Sequence, residues 1–116
     1  MKLIDIVNTY KATESLSDVE EFNSFEQWAI YKFRKAARTH VEFYDERMEK
    51  IRAKYIKLAD KDGNLSLEDS AKYSKEANEI NNFEVEFNHP KETLRIVKGV
   101  TFKTIESLDM FFDFQN

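Results

Sequence analysis

Asp60-Lys61-Asp62-Gly63-Asn64-Leu65-Ser66-Leu67-Glu68 is the segment whose residue types come nearest to metal chemistry. It opens like an EF-hand calcium loop, with carboxylate and amide oxygens from Asp60, Asp62 and Asn64 at positions one, three and five, and Glu68 further on as a weak extra donor. The later positions do not follow. The glycine required at six is Leu65, and the bidentate glutamate required at twelve is Ala71. An Asp/Gly/Asn turn between two helices accounts for the same residues, so no metal or other cofactor is expected.

The two histidines, His40 and His89, have no second ligand at a spacing that presents two donors from one helical turn, and Tyr44 stands one turn after His40. With no cysteine, thiolate catalysis, disulfides and cysteine zinc sites are excluded, and the composition fits a reducing compartment. Carboxylates are so numerous that pairing any two as acid and base carries no information. No nucleophile elbow, phosphate loop or dinucleotide fingerprint is present. An enzyme is not expected.

Lys32, Arg34, Lys35, Arg38, Arg47, Lys50, Arg52, Lys54 and Lys57 form a cationic run, with Arg34 and Arg38 one turn apart. Glu42, Asp45, Glu46 and Glu49 dilute it, and Glu46 suits an i,i+4 pair with Lys50. With a net charge of −4, the attraction to phosphate that non-specific nucleic-acid binders need is lacking. The aromatic group Phe22, Phe25, Trp28, Tyr31 and Phe33 offers more. Trp and Tyr are favoured at interfaces because each buries a large area and keeps a polar tip. Phe22, Phe25, Trp28 and Tyr31, with Arg34 and Arg38, are the expected partner-binding residues. The competing reading places the aromatics in the core.

These residues need a scaffold, and the sequence predicts a mainly helical one. A chain of 116 residues suits one domain over residues 1–116, and only Gly63, Gly99 and Pro90 interrupt it. Leu3, Ile6, Val7 and Tyr10 mark a short helix over 2–13. Ser17 with Glu20, and Ser24 with Gln27, have capping-box form. A long helix is predicted from Phe25 to Leu58, with a seam through Ile30, Phe33, Ala37, Val41, Tyr44, Met48, Ile51, Tyr55 and Leu58. A turn at Asp60–Asn64 returns the chain into a second helix, capped by Asn64 or Ser66 and running to about Asn81. Ser70, Tyr73, Ala77 and Ile80 would face the first, giving an antiparallel hairpin with unequal arms. The first half of the long helix then needs cover from residues 2–22 or from the C-terminal segment. Alternation in Phe83-Glu84-Val85-Glu86-Phe87 and the run Leu94–Val100 predict a small two-stranded antiparallel ribbon. Thr104 would cap a last helix presenting Ile105, Leu108, Phe111 and Phe112.

The order of these features resembles a family of small bacteriophage proteins. The features are a short first helix, a long Ala/Lys/Arg/Glu-rich helix ending in Lys54-Tyr55-Ile56-Lys57, an Asp-Gly-Asn turn, a helix with Glu76-Ala77-Asn78-Glu79-Ile80, a Glu-Val-Glu strand and a final short helix. The resemblance implies phage origin and no catalytic residues. It also implies one of two roles: a virion or assembly component, or a product that binds and blocks a host protein, with self-association compatible with both. The host cytoplasm or the virion would be the location. Met1-Lys2-Leu3-Ile4-Asp5 puts an acid where a signal peptide is apolar, and no apolar run approaches a membrane span.

Overall fold

The computed structural model describes residues 1–116. Helix α1 is Leu3–Ala12, followed by a 3-10 turn at Thr13–Leu16; α2 is Ser24–Ile56, α3 Leu67–Asn81 and α4 Phe102–Leu108. Two four-residue strands, β1 Glu92–Arg95 and β2 Phe112–Gln115, complete the fold. The protein is mainly helical with a minor sheet.

The first turn of α2 is fixed by a capping box one residue earlier than the sequence predicts. Asn23 Oδ1 accepts from the Glu26 N–H, and Glu26 Oε1 accepts from the Asn23 N–H, both at 3.0 Å. Asparagine caps as well as serine, and starting there turns Glu26 inward. Ser17 caps nothing; its hydroxyl closes the preceding turn on the Glu14 carbonyl. Thr101, not Thr104, caps α4, and Thr104 is buried beneath it.

α3 runs back along the second half of α2. Tyr73 meets Tyr55 edge-on at 5.4 Å, Glu76 lies 2.8 Å from Lys54, and Asn81 accepts a 2.9 Å hydrogen bond from the Tyr44 hydroxyl. The cap of α3 is Ser66, and Glu46 pairs with Lys50 on α2 as the spacing predicts. Leu58 leaves the seam and is exposed, because α2 ends at Ile56. Leu3 and Val7 of α1 pack with Val41, Ile51, Tyr55 and Ile80 in one buried cluster.

The larger cluster covers the first half of α2. Ile6, Leu16, Val19 and Phe22 reach it from the N-terminal segment, and Leu94, Leu108, Phe111 and Phe112 from the C-terminal one. Both predicted sources of cover are used. Phe33, fully buried, is the hub: its ring lies 5.1–6.0 Å from those of Phe87, His89, Phe111 and Phe112.

The predicted antiparallel ribbon is wrong in its pairing. β1 and β2 are parallel, Glu92 opposite Phe112 and Arg95 opposite Gln115, and the intervening residues carry α4 as the crossover that parallel strands require. Residues 96–100 do not extend a strand, because Gly99 adopts φ +96° and the Val100 N–H turns back to the Val97 carbonyl. The alternation in 83–87 does sort inward from outward, with Val85 and Phe87 packed against the larger cluster. That segment forms no ladder; a single antiparallel bridge joins Glu84 to Lys2. Phe112 accordingly belongs to β2 and not to the apolar face of the last helix. No helix is long and apolar enough to cross a membrane.

Candidate functional site

The aromatic residues at the start of α2 divide by helical angle. Positions 26, 29 and 33 face the core, where Glu26, Ala29 and Phe33 are buried. Phe22, just before the helix, is buried as well. Phe25, Trp28 and Tyr31 point the other way, with exposures of 86%, 56% and 51%. The Trp28 and Tyr31 rings stack at 5.5 Å with an 18° interplanar angle, and the Lys32 ammonium lies 6.0 Å from the Trp28 ring. Stacking orders the two rings before anything binds, which lowers the entropy lost on association.

Beside this pair runs a groove of about 350 Å³ between α2 and the segment 13–22. Leu16, Val19, Phe22 and Ile30 make its apolar lining, and Tyr31 and Arg34 stand on the α2 wall. A groove of this size lies at the lower end of ligand-sized cavities. Arg34 helps to build it. Its Nη1 donates to the Tyr10 carbonyl at 3.2 Å and to the Thr13 hydroxyl, and its guanidinium lies 4.2 Å from the Tyr10 ring centre. Every acceptor is neutral and Arg34 makes no ion pair, although the Glu14 carboxylate also lines the groove. Arg38, one turn on, is exposed and makes no ion pair.

Of the expected binding residues, Phe22, Tyr31 and Arg34 therefore share the groove, Trp28 joins through its stack on Tyr31, and Phe25 and Arg38 flank it. The opposite wall lies within residues 2–22, expected to cover this half of α2, although no local motif fixes where along the helix Thr13–Val19 will lie. Neither a family model nor a curated protein nor a solved structure matches the chain.

The second polar centre is a clamp that sequence reading misses. Glu26 Oε1 accepts from Arg95 Nε and Nη2 at 3.0 and 2.7 Å, and Oε2 accepts from the Arg95 backbone N–H at 2.7 Å. Burial pushes the Glu26 carboxyl upward, but the hydrogen bonds from Arg95 and Asn23 outweigh it and hold the group below its ordinary value. Arg95 Nη2 also donates to the Glu21 carbonyl, so the clamp ties β1 to the start of α2. The capping-box spacing reveals half of it; nothing local points from Glu26 to a residue 69 positions away.

His40 and His89 flank Phe87, with ring centres 5.2 and 6.1 Å from it. His40 Nδ1 and His89 Nε2 are buried without a hydrogen-bond partner, and burial pushes His89 below its ordinary pKa. At the tip of α2, Asp60 spends its carboxylate on the turn: Oδ1 accepts from the N–H groups of Asp62 and Asn64, both at 2.9 Å, and Gly63 supplies φ +80°. Glu68 pairs with Lys72 on α3. Asp60, Asp62, Asn64 and Glu68 are not gathered into a group of three acidic or imidazole side chains able to hold a metal. Titration with millimolar calcium is expected to release no heat beyond dilution; saturable heat lost in an Asp60→Ala, Asp62→Ala variant would show the loop to be a calcium site.

Proposed function

We propose that this is a non-catalytic protein of phage type that binds a host or phage protein through the start of α2, as an inhibitor or adaptor. The observation that carries the reading is the stacked, half-exposed Trp28–Tyr31 pair at the rim of an apolar groove. An exposed indole and phenol cost little in a monomer when scattered, but stacked beside a groove they match the composition of binding hot spots. The groove would take one large apolar side chain, and Arg34 with Arg38, neither of them in an ion pair, would favour an acidic neighbour on the partner. In this reading the α2–α3 hairpin is the scaffold and its Asp60–Asn64 tip is a plain turn.

Glu26, Glu76 and Glu84 are spent on structural ion pairs, which supports the non-catalytic reading. Glu26 is clamped by Arg95; the Lys54 ammonium holds Glu76 below its ordinary value, and the N-terminal ammonium does the same for Glu84. None is poised to take up a proton near neutrality. A part in virion assembly is the second reading, favoured by the exposed outward stripe of α2 taken up below.

Affinity capture from host lysate tests the first reading. Trp28→Ala and Tyr31→Ala are each expected to cost about 2 kcal/mol, roughly thirtyfold in affinity, with helical content unchanged. Capture of the same protein by both variants at full strength would remove the aromatic pair from the binding surface. Co-purification with particles would favour the assembly role.

A further inference from the structure

An exposed flank of α2, beside its core-facing seam, carries a regular pattern. Trp28, Tyr31, Lys35, Arg38, Glu42, Asp45, Glu49, Arg52 and Ile56 follow one another in alternating steps of three and four, and all nine are exposed. Alternating steps of three and four are the spacing of a helix-packing seam; no other helix covers this one, although Lys11 shares a hollow with Asp45, Glu49 and Arg52, and Tyr73 shares one with Arg52 and Ile56. Its charges are ordered: two cations, Lys35 and Arg38, then two carboxylates, Glu42 and Asp45. None of these four makes an ion pair within the chain, although Glu46–Lys50, Glu49–Arg52 and Glu68–Lys72 do form on helix surfaces.

A plus-plus-minus-minus order is self-complementary when a second helix lies antiparallel about residue 40. In-register parallel pairing sets like charges together. A parallel pairing shifted by one heptad matches the charges but leaves an unsatisfied half at each end, and so grows without closing. We propose that the outward stripe of α2 is a self-association surface, on which a second copy lies antiparallel with Lys35 against the partner's Asp45 and Arg38 against the partner's Glu42. The same register brings Trp28 to the partner's Arg52, a cation–π partner, and Tyr31 to the partner's Glu49. Two-fold symmetry repeats each contact. Copies of net charge −4 repel at long range, so this local complementarity and the aromatic contacts at both ends select the register. The pairing charges lie outside the groove lining, so this surface does not need the binding reading, although Trp28, Tyr31 and Arg38 belong to both.

Sedimentation of the full chain up to about 1 mM should show a reversible monomer–dimer equilibrium that weakens with salt. The double variants Lys35→Glu, Arg38→Glu and Glu42→Lys, Asp45→Lys should each dimerise at least about tenfold more weakly. Mixed together, they should recover a one-to-one dimer, because every repelling pair becomes an attracting one. The inference is overturned by a wild-type chain that stays monomeric or grows into open polymers, by variants that still dimerise, or by a mixture that does not recover. If sedimentation gives that result while Trp28→Ala still loses a captured protein, the binding reading stands alone. A dimer with capture indifferent to Trp28 and Tyr31 leaves self-association standing and removes the other.

Discussion

Phe33→Ala lowers the free energy of unfolding by about 3–5 kcal/mol, the largest effect expected from any single truncation in this protein. The ring is fully buried and meets four other rings contributed by the segment after α3, by the turn after α4 and by β2. Removing it opens a cavity whose lining comes from distant parts of the chain, so no one element can move in to fill it. Phe33→Leu keeps most of the volume and should cost less than about 1.5 kcal/mol. Urea unfolding followed by far-ultraviolet circular dichroism measures both; the sole tryptophan, Trp28, is more than half exposed and reports poorly on the core. Equal midpoints for wild type and Phe33→Ala would mean that the cluster is not the stabilising centre. Against a typical domain stability of about 5–15 kcal/mol, the loss from Phe33→Ala is a large share of the margin.

Glu26→Ala comes second, at about 2–3 kcal/mol. The carboxylate is only 5% exposed and receives N–H groups from Asn23 and from the backbone and side chain of Arg95. Alanine leaves those donors unpaired and removes half of the capping box. The same clamp sets an acid limit. Because the folded carboxyl titrates below its ordinary value of 4.5, the stabilisation is fully present above pH 4.5 and is lost as pH falls from there toward the folded value. The urea midpoint of the wild type should therefore hold above about pH 5 and drop as pH falls below 4.5, and that of Glu26→Gln should start lower and fall less. A Glu26→Gln profile parallel to the wild type would assign the acid limit to other groups.

Both predictions rest on contacts that a local reading of the sequence reaches only in part. Helices α1, α2 and α3 are legible because apolar periodicity and the lack of Gly or Pro agree, with the Ser66 cap marking the start of α3, and the Asp60–Asn64 turn is legible from its residue types. The strands are not. Strict alternation in 83–87 reports that one side is buried, which is true of Val85 and Phe87, but burial on one side does not specify a hydrogen-bonded neighbour. β1 and β2 are four residues each and gain their partners through a crossover, so no turn signal links them. The aromatic group was ambiguous for a related reason: periodicity along α2 separates Phe33 from Trp28 and Tyr31 only once the core-facing angle is known. That angle is set by the Asn23 cap and by Glu26, whose partner Arg95 lies on another element.

The parallel pairing of β1 with β2 also orders events in time. α2 and α3 are neighbours in the chain and can zip together by short-range closure. The cluster around Phe33 cannot close in the same way, since Leu108, Phe111 and Phe112 are needed to seal it. During synthesis the long helix therefore emerges with one half matched by its successor, while the other half, covered on one side by Ile6, Leu16, Val19 and Phe22, stays greasy on the other until residue 112 has left the ribosome. Chaperone demand, sensitivity to premature termination and loss to aggregation should all concentrate on that interval.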